Sequence, residues 1–311
     1  MSGTYKAIGI NLKSTPLGES DRLLTILTEE LGLLRVVAPG SRKHKSSLGG
    51  RSGLFVVNNL LIVSGKNLDK VIQAETVESF PGLSQDLKKL TAAQYLAELA
   101  LYQALSEQSQ ADLFHLLCEH LTRLETLPGI VTLPCLVHAM FHLLALAGIA
   151  PQVFRCGVTQ KEITPDFSDP DWRTGFSSVA GGVVLLSELD NLRLGTAPPR
   201  KAPSGAPKIL SDHPQEGTAS HRTANFTQTP PELHAQITAI ELYLLQQLTK
   251  PDLLETLMQA DPPAFASNQI WLPIERILRH YAQYHFDRPI RSATLIDPCF
   301  APASDLSLQK L

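Results

Sequence analysis

The sequence predicts an α+β protein in two parts: a five-stranded antiparallel barrel over residues 1–80, then an all-α helical bundle over residues 81–311. Three observations carry this. Apolar and polar residues alternate with a period of two through the first 80 residues, and after Phe80-Pro81-Gly82 the period lengthens to about 3.6. A chain of 311 residues that is 43% hydrophobic also outgrows one small core and has enough apolar surface to fill two.

In Tyr5 to Ser14, Ile8, Ile10 and Leu12 alternate with Gly9, Asn11 and Lys13, the pattern of a half-buried strand. Pro16 and Gly18 turn the chain. Leu23 to Thr28 and Leu33 to Ala38 form a hairpin about Leu31-Gly32, where glycine tolerates a positive φ. Pro39-Gly40 ends the hairpin and opens a loop whose Gly49, Gly50 and Gly53 argue against helix. Leu54 to Ser64 is apolar on both faces apart from Asn58 and Asn59, and Val71 to Val77 supplies a fifth strand. Closing five short strands into a barrel removes exposed edges, and the OB type is the common barrel of this size, with an SH3-like barrel the alternative on strand count.

The helical part begins with Leu83 to Leu105, followed by Ala111 to Thr126 and Leu133 to Ala147, each with one apolar stripe that needs a partner. Residues 151–186 show neither period. From Thr196 to Glu232 there are seven prolines in 37 residues and few large apolar side chains, so 196–232 is expected to be a disordered insertion. Helices resume at Leu233 to Leu248, Pro251 to Gln259 and Ile270 to Phe286.

Met1 to Lys13 lacks the layout of a secretory signal. The longest apolar run, Leu136 to Ala150, is shorter than the ~20 residues of a membrane span and reads as a buried helix. Cys118, Cys135, Cys156 and Cys299 are scattered without framework spacing. That fits a reducing cytoplasm and no membrane.

Charge is divided unevenly. Residues 1–80 hold ten Lys/Arg and seven Asp/Glu, against seventeen and twenty-three in the remainder. Within residues 31–68 there are six basic residues, Arg35, Arg42, Lys43, Lys45, Arg51 and Lys66, and no acid. With His44 they form a cationic set on a barrel scaffold, where phosphate contacts are often made. Only Tyr5, Phe55 and Phe80 are aromatic in this part. Base stacking contributes about 1–3 kcal/mol per base where it is used, so scarce aromatics imply salt-sensitive, sequence-independent binding by backbone charge.

Catalytic patterns are missing. Ser64-Gly65-Lys66-Asn67 lacks the first glycine and the hydroxyl of a phosphate-binding loop, and there is no GxSxG elbow. Cys135, His138 and His142 share a helical face, as do His115 and Cys118. With no carboxylate or second CxxC beside them, they read as packed helix residues rather than metal ligands. No cofactor, metal or enzymatic activity is expected.

Several strings then carry a resemblance. They are Gly18-Glu19-Ser20-Asp21-Arg22, Thr28 with Gly32-Leu33-Leu34, Gly40 with the loop to Lys45-Ser46, Ala74-Glu75, Leu113-Phe114-x-Leu116-Leu117, Gly148-x-Ala150-Pro151, and Arg288-Pro289-Ile290-Arg291-Ser292. In order and spacing the chain resembles the RecO family of bacterial recombinational repair over most of its length. The resemblance implies an N-terminal OB-fold and a helical C-terminal domain. It also implies binding of single- and double-stranded DNA, strand annealing, and loading of recombinase onto DNA coated by single-stranded DNA-binding protein. RecR and the acidic tail of that coating protein are the implied partners, in the cytoplasm and at the nucleoid. Many members carry a zinc module with two CxxC pairs. Here Cys156 matches the first position, but Thr159, Leu185 and Glu188 stand at or near the others, so 151–190 is expected to be a degenerate module without zinc. Arg200, Lys201, Arg276, Arg279, Arg288 and Arg291 are candidates to extend a DNA path from the barrel. A protein-interaction scaffold and an RNA- or tRNA-binding OB protein are the rival readings.

Overall fold

Strand β1 (Thr4–Leu17) is long enough to pair on both edges, with β2 (Asp21–Thr28) on one side and β4 (Val56–Val63) on the other, both antiparallel. The computed structural model describes residues 3–189, 231–259 and 267–301. β2 pairs with β3 (Gly32–Ala38), and β4 with β5 (Asp69–Ser79). The ring closes where β3 meets β5 at Val36↔Asp69 and Val37↔Lys70, giving a closed barrel of order β1-β2-β3-β5-β4. That last pair is parallel, which corrects the all-antiparallel expectation. Strand directions cannot alternate all the way round a ring with an odd number of members, so one pair must run parallel. Leu24, Ile26, Val36, Ala38, Leu48, Leu60, Ile62, Val71 and Ala74 fill the barrel interior.

A second apolar layer lies beneath the barrel. Ile10, Leu12, Leu27, Phe55 and Val57 belong to the same core as the helices, so the two parts share one hydrophobic cluster. The tip of the β2–β3 hairpin is joined to the loop after α1 (Leu87–Gln103). Leu33 N–H donates to Leu105 O at 2.8 Å, Glu107 N–H to Leu31 O at 3.1 Å, and Gln110 N–H to Glu29 O at 3.0 Å. Gly32 has φ +68, and a Cβ there would lie 2.1 Å from Leu105 O. Only glycine fits this approach.

Asp86 caps α1 by accepting from Lys88 N–H at 2.8 Å. α1 packs with α2 (Ala111–Thr126) and α3 (Thr132–Leu146), burying Leu96, Leu99, Leu117, Leu121 and Leu136. The stretch Gly129–Leu146 is long and apolar enough by composition to cross a membrane, but 72% of it is buried inside the protein, as expected of a core helix.

The bundle is not all-α. β6 (Arg173–Ser177) pairs with β7 (Gly182–Val184) and with β8 (Ala235–Thr238), forming a three-stranded antiparallel sheet. β8 occupies part of the stretch expected to be helical from Leu233. Its partner Thr174 is remote in sequence, and the Thr174↔Ile237 pairing overrides the local helical pattern there. Helix α4 (Ala239–Gln247) follows with a capping box between Thr238 and Glu241. α5 (Leu253–Gln259), α6 (Asn268–Phe286) and α7 (Ile296–Phe300) complete the core around Trp271 and Leu278. The Pro-rich stretch 196–232 lies outside the described residues except for Pro231 and Glu232.

Candidate nucleic-acid interface

The basic loop is built by successive tight turns. Lys43 N–H donates to Gly40 O, Ser46 N–H to Lys43 O and Gly49 N–H to Ser46 O, at 3.0, 3.1 and 3.2 Å. Leu48 anchors it from within, as a buried member of the barrel core. A single 3₁₀ turn, Gly50–Ser52, ends it, so its glycines exclude an α-helix but not this shorter element.

Two buried asparagines hold the far end. Asn11 Nδ2 donates to Arg51 O at 2.8 Å and Gly53 O at 2.9 Å, and Asn58 Nδ2 donates to Arg51 O at 3.0 Å. Asn58 is a polar break in an otherwise apolar strand pattern, and Asn11 is a polar member of the β1 alternation that is nonetheless fully buried. Fixing the loop is the reason for them. Phe55 follows with φ +59, a costly value for an aromatic residue, and is held by its N–H donating to Asn11 O at 2.9 Å.

Asp21 secures the near end by accepting from Gly40 N–H at 2.7 Å and Ser20 Oγ at 2.7 Å, and these bonds hold its carboxyl below the usual carboxylate range. Lys43 and Lys70 lie close enough to act on it electrostatically. Residues 31–68 contain no acid, but the folded loop therefore has one beneath it, supplied by β2. Lys70 escaped the sequence reading because Asp69 interrupts the acid-free run.

Arg42, Lys43, His44 and Lys45 are exposed on the loop. Arg42 Nη1 donates to Gly18 O at 2.8 Å, which orients its guanidinium and leaves its other donors to solvent. Arg51 is half-buried, with Nη1 donating to Ser47 O. Arg35 is exposed on β3 opposite Thr25, and Lys66 on the β4–β5 turn. None of the seven forms an ion pair among the described residues. The loop gathers Arg42 through Arg51, while Arg35 and Lys66 stand on neighbouring elements of the same barrel. Phe55 and Phe80 are buried and the Tyr5 hydroxyl is bound to Asp69, so no aromatic of the barrel is presented for stacking.

Candidate metal ligands lie in two places. In the region matching the zinc module, Cys156 is the one thiol, and its sulfur accepts Leu185 N–H at 3.4 Å. Lys161 and Glu188 form an ion pair beside it. One thiolate and a backbone donor do not fit tetrahedral zinc. In the bundle, His138 and His142 do lie together, ring centroids 4.0 Å apart, and are joined by His120 from α2 at 5.7 and 5.2 Å. Their Nε2 atoms meet Lys250 O at 2.9 Å and Leu248 O at 3.1 Å, tying α3 to the loop after α4. Among the described residues no His, Cys, Asp or Glu set is arranged to hold a metal ion. The His115–Cys118 pair also dissolves, since His115 turns to Glu29 Oε1 at 3.1 Å.

Burial, reinforced by mutual repulsion, pushes His120 down to about 2 and His138 to about 3 from an ordinary 6.5. Below pH 6.5 an unfolded histidine takes up a proton that these two refuse. Each therefore costs stability as pH falls from 6.5 toward 3, by up to about 1.4 kcal/mol per pH unit. Denaturant unfolding at pH 7 and pH 5 is expected to show this loss, and His120→Leu to reduce the difference. An unchanged pH dependence in His120→Leu would remove the histidines as its cause.

Fold and surface together define a two-part α+β protein whose barrel carries a cationic loop anchored at both ends by hydrogen bonds. Residues 1–80 match the family described as Recombination protein O N terminal, and residues 84–214 match Recombination protein O C terminal. The chain is 52% identical over 311 residues to the DNA repair protein RecO of Nostoc sp. (strain PCC 7120), covering 99% of this chain and 100% of that one. It is 54% identical over 308 residues to that of Cyanothece sp. (strain PCC 7425), covering 98% and 99%. With the RecO of Thermosynechococcus vestitus it shares 40% identity over 309 residues. The chain belongs to the RecO family of recombination proteins.

Proposed function

We propose that this protein is a non-enzymatic DNA-binding factor of recombinational repair, acting in the cytoplasm on nucleoid DNA. It binds single- and double-stranded DNA, anneals complementary strands, and assists recombinase loading on DNA coated by single-stranded DNA-binding protein, with RecR as a second partner. The observation that carries this reading is the pre-shaped, exposed loop of Arg42, Lys43 and Lys45 on an OB-type barrel. Two strands repel through their phosphates. A surface that neutralises both while offering no stacking platform lowers that repulsion and leaves the bases free to pair. DNA repair is in the name of the relatives, and the basic loop gives that role a physical means.

Filter binding of single-stranded DNA and RNA at two salt concentrations, with annealing of complementary oligonucleotides, tests this. Expected are salt-sensitive DNA binding and accelerated annealing. Preference for RNA, or no nucleic-acid binding at all, would favour the rival readings.

A further inference from the structure

Of the basic residues outside the barrel, those of the C-terminal segment fall into two groups. Arg276 is bound to Asp297 at 2.6 Å, and Arg279 lies between Glu275 at 3.0 Å and Asp297 at 3.4 Å, so both have acidic partners. Arg288 and Arg291 are exposed and have no ion pair among the described residues. They overhang a cleft of about 640 Å³ between the end of β1, α1 and the turn after α6. Lys13, also exposed and unpaired, faces them from the barrel wall.

The one acid lining this cleft is Glu98. Its carboxylate is fully engaged, accepting from Tyr102 Oη at 2.6 Å, Arg291 N–H at 2.9 Å, Ser292 N–H at 2.8 Å and Ser292 Oγ at 2.7 Å. It shapes the turn that presents the two arginines and has little capacity left to pair with them. The Arg288 guanidinium stands 5.7 Å from the Tyr102 ring centre, so that ring is covered rather than open for stacking. Leu54, three residues beyond Arg51, forms part of the wall, so the cleft is continuous with the end of the basic loop.

We infer that a single DNA strand bound at the loop continues past Leu54 into this cleft, where Lys13, Arg288 and Arg291 contact its phosphates. The inference rests on the proposed DNA-binding reading and extends the same surface. A polynucleotide suits the cleft better than an acidic peptide because the cleft's cations lie next to the end of the basic loop and its lining acid, Glu98, is already taken up by hydrogen bonds, which leaves a run of positive charge for a repeating phosphate backbone.

The test is binding of oligodeoxynucleotides of increasing length to wild type, Arg288→Glu/Arg291→Glu and Lys13→Glu, with Arg42→Glu/Lys43→Glu/Lys45→Glu as the loop control. Two lost contacts at about 0.7 each lower the log–log salt slope by about 1.4, which at 0.1 M salt is about 25-fold in affinity. That loss is expected for strands long enough to span both surfaces and not for the shortest bound strand. Lys13→Glu should show a smaller loss of the same kind, and it carries the test if the double variant fails to fold. Wild-type affinity at every length in both cleft variants, with binding lost in the loop control, would overturn this inference and leave the DNA-binding reading standing. Loss of binding in neither set would overturn both. An acidic peptide bound by wild type but not by the double variant, with DNA binding unchanged, would reassign the cleft.

Discussion

Replacing Arg42, Lys43 and Lys45 together by glutamate is expected to lower single-stranded DNA affinity about 100-fold at 0.1 M salt and the log–log salt slope by about 2, each phosphate contact being worth about 0.7. All three side chains are exposed, and the one bond lost, from Arg42 to Gly18 O, is itself exposed, so the fold should be retained. The loop's frame, Leu48 inside and Asn11 and Asn58 at its end, is untouched by the change. Annealing should fall with binding, because the same charges that hold one strand screen it from the second. Annealing at the wild-type rate in this variant would refute the proposed mechanism. Arg35→Glu or Lys66→Glu should cost less, since these residues stand apart from the loop cluster.

Gly32→Ala is expected to be strongly destabilising. The backbone conformation at φ +68 costs an alanine about 1–2 kcal/mol on its own. A methyl carbon 2.1 Å from Leu105 O must also push the β2–β3 tip away from the α1–α2 loop, weakening the Leu33–Leu105 and Glu107–Leu31 backbone bonds. Together these suggest a loss of about 4 kcal/mol, or roughly 10 °C in melting temperature at 2–4 °C per kcal/mol. Gly18→Ala is the control. Gly18 also has positive φ, at +61, but nothing lies within 4 Å of its added Cβ, so only the conformational part should appear. Equal losses at the two positions would mean that the junction contributes nothing beyond backbone strain.

Both effects depend on features that differ in how far they can be read from sequence. The period-two alternation of Ile8, Ile10 and Leu12 is legible because the opposite set, Gly9 and Asn11, is small or polar, yet β1 is buried on both faces from Gly9 to Leu12, which corrects the half-buried expectation. The acid-free charge run is legible because counting charge needs no fold. The parallel β3–β5 contact and the β6–β8 sheet are not legible, since each joins short segments far apart in the chain and pairing partners leave no local period. Three-dimensional neighbours of the loop were hidden for the same reason. Asp21 and Lys70 come from other strands, and the cleft brings Lys13 and Arg291 together from opposite ends of the chain. His138 and His142 share a helical face in the sequence, but His120 completes the cluster only through the packing of α2 on α3. Asn58 stands out in the sequence as a polar break while Asn11 does not, and the purpose of both appears only once their amides are seen to meet the carbonyl of Arg51.

The core shared by barrel and helices also sets an order of events during synthesis. A nascent chain with only residues 1–80 released would leave Ile10, Leu12, Leu27, Phe55 and Val57 in contact with water, because the cluster that covers them is built by later segments. The barrel's underside is sealed only after α1 and α2 have emerged through Thr126. Phe55 and Asn11, which bracket the end of the basic loop, sit at that seal. The anchors of the loop, Leu48, Asn11, Asn58 and Asp21, all belong to residues 1–80, so the cationic face can be framed before the helices arrive, while the Phe55 side chain at its end waits for them to be covered.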